Sequence, residues 1–87
     1  MKSLRLGRDR SLSFLDLPEP SPPEPEEVQV QMAYASICGY DMMMLSGRAA
    51  YPKDGCLGHE GSAIVTAVGS RVSPADFRVG ERVTIMP

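Results

Sequence analysis

Two short segments of this chain contain the side chains best suited to chemistry, Ile37-Cys38-Gly39-Tyr40-Asp41 and Leu57-Gly58-His59-Glu60-Gly61. Between them they offer a thiol, an imidazole and a carboxylate, a donor set that suits zinc. Three protein donors with a fourth position left open describe a catalytic zinc site, whereas a structural site is closed. Spacing alone does not make this case. Cys38 and His59 lie far apart in the chain, unlike the tight Cys-x-x-Cys pairs that mark structural zinc sites. A lone histidine in a small domain is more often structural or solvent-facing than a ligand. Local context argues the other way. Cys38 stands where a short helix is predicted to begin, and the free N–H groups of a helix N-terminus favour an anionic sulfur. Gly58 and Gly61 bracket His59 and would let the backbone pass close to an ion or substrate.

Neighbouring residues admit plainer readings. Cys56 lies three residues before His59 and imitates half of a Cys-x-x-His site, but it reads as a small packing residue. Met42, Met43 and Met44 could line a pocket. Methionine is also common core filler, so at least one of the three is expected to face inward. Tyr40 serves equally well as a buried packing residue with its hydroxyl on a backbone group.

The elements that must hold these residues are short. Leu4 to Leu6 and Leu12 to Leu15 read as strands joined around Gly7-Arg8-Asp9-Arg10. The stretch Leu17 to Pro25 is so dense in proline that helix and central strand are both excluded, leaving an extended connector between strands rather than between domains. Val28, Val30, Met32 and Tyr34 then alternate with Gln29, Gln31, Ala33 and Ala35, the period of two of a half-buried strand. Gly39 to Leu45 reads as a short helix stopped at Ser46-Gly47. Ala63 to Val68 and Val83 to Met86 complete the strands, each bounded by a turn glycine. Short, closely spaced strands with one short helix predict a small, partly open β-barrel.

Bulk properties narrow the function classes. At 87 residues the chain allows one small domain, in which only about 60% of the unfolded surface is buried. Hydrophobic residues make up 43% but aromatics only 6%, so the core must rest on Val, Leu, Ile, Ala and Met. A net charge of -2 with scattered arginines argues against nucleic acid, which needs clustered positive charge. Glu24, Glu26 and Glu27 read as a solvated loop. No apolar run approaches the roughly 20 residues of a membrane span, and the start has no signal-peptide core. Two cysteines are too few for a disulfide scaffold, and a cytoplasmic, thiol-reduced protein is the default.

In order and spacing, the strand, Ile37-Cys38-Gly39-x-Asp41, Gly47, Pro52, Gly58-His59-Glu60, Val68-Gly69 and Val79-Gly80-Glu81-Arg82-Val83 resemble the medium-chain zinc dehydrogenases. The resemblance spans Lys2 to Pro87. It implies a mainly β, GroES-like, partly open barrel with one short helix, covering residues 1–87 as the N-terminal, catalytic-zinc portion of an alcohol or polyol dehydrogenase. It implies Cys38 and His59 as zinc ligands, with Glu60 as an alternate ligand or close neighbour of the metal. Asp41 would orient the His59 imidazole. A further ligand, a four-cysteine lobe for a structural zinc and the NAD- or NADP-binding domain would lie beyond Pro87, so the chain alone is expected to be inactive. The activity implied is hydride transfer between a small alcohol or polyol and NAD(P), in a full-length protein that forms homo-oligomers.

The chain departs from the family pattern at two places. Tyr40 stands where Ser or Thr usually begins a proton relay, and Met43 where many members have a relay histidine. A phenol could relay a proton, yet it is longer and narrows the pocket. Gly39 after the cysteine is closer to the polyol, sugar and threonine branches. Two rival functions share the fold: a free-standing co-chaperonin-type binding module without metal chemistry, and a zinc-free quinone reductase. Neither gives a purpose to a Cys38 and His59-Glu60 set.

Overall fold

The computed structural model describes residues 1–86. The elements run β1 (Lys2–Leu6), β2 (Leu12–Asp16), β3 (Val28–Ala35), α1 (Gly39–Ser46), a 3-10 turn (Lys53–Gly55), β4 (Gly61–Val68) and β5 (Arg82–Ile85). This is the mainly β architecture with one short helix that the sequence suggests. The strands pair into two antiparallel sheets, β1-β2 and β3-β4-β5, and neither closes on itself. The chain gathers into two compact units, one made of Met1–Glu19 and Ser36–His59, the other of Pro20–Ala35 and the chain from Glu60 onward. The proline-rich stretch carries no regular structure over its length, as expected, but it also marks the first passage from one unit to the other.

In the first unit, β1 and β2 form a hairpin in register from Lys2↔Asp16 to Leu6↔Leu12. Its turn is held by Asp9, whose Oδ1 accepts from the Ser11 hydroxyl at 2.6 Å and from the Ser11 N–H at 3.0 Å. Those bonds hold the exposed Asp9 carboxyl below the usual carboxylate range. The next residue, Arg10, takes a left-handed φ of 69° and sends Nη1 to the Met44 carbonyl at 2.9 Å. A helix leaves its last carbonyls without internal partners, so a guanidinium there satisfies one of them and opposes the negative end of the dipole.

Helix α1 starts from Cys38, whose extended backbone (φ -114°, ψ 176°) makes it the N-cap. It ends at Gly47, where φ of 80° is cheap for glycine alone and lets the N–H groups of Gly47 and Arg48 return to the Met44 and Met43 carbonyls. Asp41 and Met44, three residues apart on one face, are buried, while Met42 and Met43 are exposed. One methionine of the three therefore packs inward. Leu6 and Met44 are the buried hydrophobic side chains of this unit.

In the second unit β4 is the central strand, and its alternation is clean: Ala63 and Val65 are each 1% exposed while Ile64 and Thr66 face outward. Its partner β3 departs from the expected half-buried alternation. Met32 and Tyr34 are open to solvent at 48% and 79%. Register shifts between Gln29 and Val30 and between Met32 and Tyr34 explain this, because each bulge interrupts the period of two that would keep one face inward. Gly61, at the start of β4, sits where a Cβ would collide with the Tyr34 carbonyl oxygen and meet the Met32 methyl at 2.7 Å. It thus serves the close approach of two strands. Gly61→Ala is expected to lower the unfolding free energy by about 1–3 kcal/mol, read from the urea midpoint.

Candidate metal centre

The residues predicted to do chemistry come from two places in the first unit, the start of α1 and the loop that follows the 3-10 turn. That loop has no regular structure of its own from Leu57 to Glu60. It is fastened to the free edge of β1 instead. Arg5 pairs with Cys56 in an isolated antiparallel bridge, the Leu57 N–H donates to the Leu4 carbonyl at 3.4 Å, and Arg5 Nη1 donates to the Asp54 carbonyl at 2.9 Å. Upstream, the Tyr51 hydroxyl donates to the Leu6 carbonyl, and the Arg8 guanidinium lies 3.9 Å from the centre of the Tyr51 ring. Gly55 and Asp54 both adopt positive φ to make the turn.

This arrangement delivers His59 to the helix start. Its Nε2 lies 3.1 Å from Cys38 Sγ, and its Nδ1 lies 3.5 Å from Asp41 Oδ1. The other carboxylate oxygen, Oδ2, accepts from the Cys38 N–H at 2.9 Å. Asp41 thereby acts both as the first-turn acid that closes the capping arrangement and as the group facing the imidazole. Its two oxygens point different ways, one to the Cys38 N–H and the other toward the imidazole. Asp41 is 5% exposed, and Oδ1 is buried without a hydrogen-bond partner among the described residues. A buried carboxylate oxygen left in this state calls for a donor close by, and the Nδ1 side of His59 is the nearby candidate.

Tyr40 occupies the helix turn between them. Its ring meets His59 edge to face, centroids 5.8 Å apart with an interplanar angle of 82°. It is neither buried nor bonded to backbone: it is 49% exposed, and its hydroxyl makes no hydrogen bond among the described residues. Glu60 is half-buried and follows His59 directly along the chain, where the second unit begins. Cys56 does not pack as expected. Its thiol is free and exposed, while its backbone pairs with Arg5. Sequence reasoning also missed Arg5, Arg10 and Tyr51, whose roles consist of bonds to carbonyls far away in the chain and leave no local signature.

The donor set fits zinc. A thiol and an imidazole Nε2 face each other, and the opposite ring nitrogen is turned to a buried carboxylate, which favours the tautomer with Nδ1 protonated and Nε2 free to bind a metal. Among the described residues, no helix is long and apolar enough to cross a membrane.

Residues 24–87 match the alcohol dehydrogenase GroES-like domain. No curated protein matches the chain. Among solved structures it is similar to galactitol-1-phosphate dehydrogenase from Escherichia coli, with 31% identity and a TM-score of 0.85 over 97% of this chain and 24% of that one. It is similar also to zinc dependent alcohol dehydrogenase 2 from Streptococcus pneumonia, in its apo form, with 33% identity, a TM-score of 0.81 and coverage of 99% and 24%. An alcohol dehydrogenase from Thermus sp. ATN1 gives 25% identity, a TM-score of 0.82 and coverage of 97% and 24%. The chain thus spans about a quarter of the length of each of these proteins.

Proposed function

The chain belongs to the alcohol dehydrogenase GroES-like domain family, and from that membership we propose that it is the metal-holding portion of a zinc-dependent oxidoreductase acting on an alcohol or polyol with NAD or NADP. One observation carries the reading: His59 presents Nε2 to the Cys38 thiol while its Nδ1 faces the Asp41 carboxylate. In this proposal Cys38 and His59 are zinc ligands, and Glu60 is the alternate ligand or near neighbour that its place beside His59 allows. The four similarities to dehydrogenase domains and structures support the same class of chemistry. The activity is proposed for the whole protein, since the chain spans about a quarter of the length of the dehydrogenase structures it resembles.

When bound, zinc would supply Lewis acidity toward the substrate oxygen, and the nicotinamide would supply the hydride acceptor. The rest of the work falls to the chain. Cys38 provides the sulfur donor from the N-cap position of α1. Asp41 faces the Nδ1 side of His59 and would favour a proton there, leaving Nε2 its lone pair for a metal. Alcohol oxidation would also require the substrate's hydroxyl proton to reach solvent. Tyr40 Oη is the group proposed to pass that proton outward, since its phenol stands beside His59 and is half open to water.

The test is zinc titration of the chain, with NAD(P)-linked alcohol oxidation measured on the native protein that contains it. One weakly held zinc per chain is expected, since the resemblance implies a further ligand outside these residues. A chain that retains no zinc, in a native protein without alcohol-dependent NAD(P) reduction, would overturn the reading in favour of a zinc-free reductase or a co-chaperonin-type binding module.

A further inference from the structure

The loop that carries His59 does little to orient its side chain. Leu57 to Glu60 lack regular structure, and Gly58, at φ of 93°, has nothing within 4 Å of where a Cβ would stand. Rotation of an imidazole about its second side-chain torsion is soft, so contacts to the ring must decide which nitrogen faces which partner. Cys38 Sγ meets Nε2 at 3.1 Å, a single polar contact that leaves the other side of the ring unheld. Nδ1 is 3.5 Å from Asp41 Oδ1, beyond hydrogen-bonding range, and that oxygen has no other partner among the described residues. The remaining contact is aromatic. Tyr40 meets the ring edge to face at 5.8 Å and 82°, the geometry that aromatic pairs prefer. It comes from the same first turn of α1 that supplies Cys38 and Asp41, so one helix start meets the ring on three sides.

We propose that Tyr40 is a positioning residue for His59: its ring, not its hydroxyl, holds the imidazole with Nε2 toward Cys38 and Nδ1 toward Asp41. The proposal rests on the metal-centre reading above for its consequence, tighter metal binding, and on the ring geometry alone for its physical content. It is separate from any passage of protons by Oη, because a ring without the hydroxyl performs it equally well.

The experiment compares the full chain with Tyr40→Phe and Tyr40→Leu. Zinc affinity is read by competition with a chromophoric chelator, and the His59 ring protons by NMR in the metal-free chain. Tyr40 is half-exposed and leucine is a better helix former, so both variants are expected to fold. Tyr40→Phe should match the parent in affinity and in ring-proton shifts. Tyr40→Leu should bind zinc roughly three- to tenfold more weakly and lose the ring-current displacement of the His59 protons. Equal weakening in both variants would assign the effect to the hydroxyl and overturn the proposal. A leucine variant indistinguishable from the parent in affinity and shifts would overturn it too. If the parent chain binds no zinc, the metal-centre reading fails, and NOE contacts of the His59 ring protons with Cys38 and Asp41, kept in Tyr40→Phe and lost in Tyr40→Leu, then decide the positioning role by themselves.

Discussion

Cys38→Ser is expected to lower zinc affinity by at least about a hundredfold, while Cys56→Ser leaves it unchanged. The floor on the first figure follows from comparison: removing a group that only supports a metal ligand costs about 10–100-fold, and removing the ligand itself should cost no less. Serine keeps the size of the side chain and can still cap the helix, so the fold is expected to survive. What is lost is the sulfur facing His59 Nε2 at 3.1 Å. The control matters because the two cysteines differ in place and not in chemistry. Cys56 is exposed, and its sulfur approaches only the neighbouring Leu57 carbonyl, at 3.8 Å. Chelator competition on the two variants separates a built site from adventitious thiol binding. Zinc retained by Cys38→Ser and lost by Cys56→Ser would move the centre elsewhere.

Asp41→Asn is expected to weaken zinc binding roughly 10–100-fold with little change in helix stability. The amide oxygen can still accept the Cys38 N–H, now bonded at 2.9 Å, and so preserve the start of α1. The amide NH2 would then replace Oδ1 opposite His59 Nδ1. A donor in that place requires Nδ1 to accept, which pushes the ring proton to Nε2 and removes the lone pair that would bind metal. Asp41→Ala separates the two duties of the residue. It should weaken zinc binding to a similar degree and, in addition, cost the helix about 1 kcal/mol for the lost cap, seen as a lower urea midpoint. If Asp41→Asn binds zinc as tightly as the parent, the carboxylate acts only as a helix cap and has no part in the metal centre.

Much of the local structure was legible in the residues themselves. The helix start at Gly39 and its stop at Gly47 follow from capping chemistry that acts within a few positions, and the prolines before Val28 exclude regular structure wherever they fall. The buried alternation of Ala63 and Val65 shows in the β-branched run around it. Errors at the ends were small: β1 begins at Lys2 rather than Leu4, β4 at Gly61 rather than Ala63, and β5 runs Arg82–Ile85 rather than Val83 to Met86. Pairing with a neighbouring strand sets those ends, and no single strand encodes it.

By itself, then, the sequence determined the class of fold, the order of elements and the donor types available, because propensity, capping and side-chain chemistry are properties of a residue and its near neighbours. Only the tertiary structure decided what those donors face. Cys38 and His59 are 21 positions apart, and their meeting depends on a loop fastened to β1 through Arg5, Leu4 and Leu6. The guanidinium on the last turn of α1 comes from Arg10, 34 positions away. Bulges in β3 opened Met32 and Tyr34 to solvent despite a regular alternation, and Cys56 lies exposed despite its small apolar side chain. The division of Asp41 between the Cys38 N–H and the His59 ring is likewise a fact of three dimensions. Such contacts are fixed by register and loop closure, which depend on partners distant in the chain and leave no trace in the spacing of nearby residues.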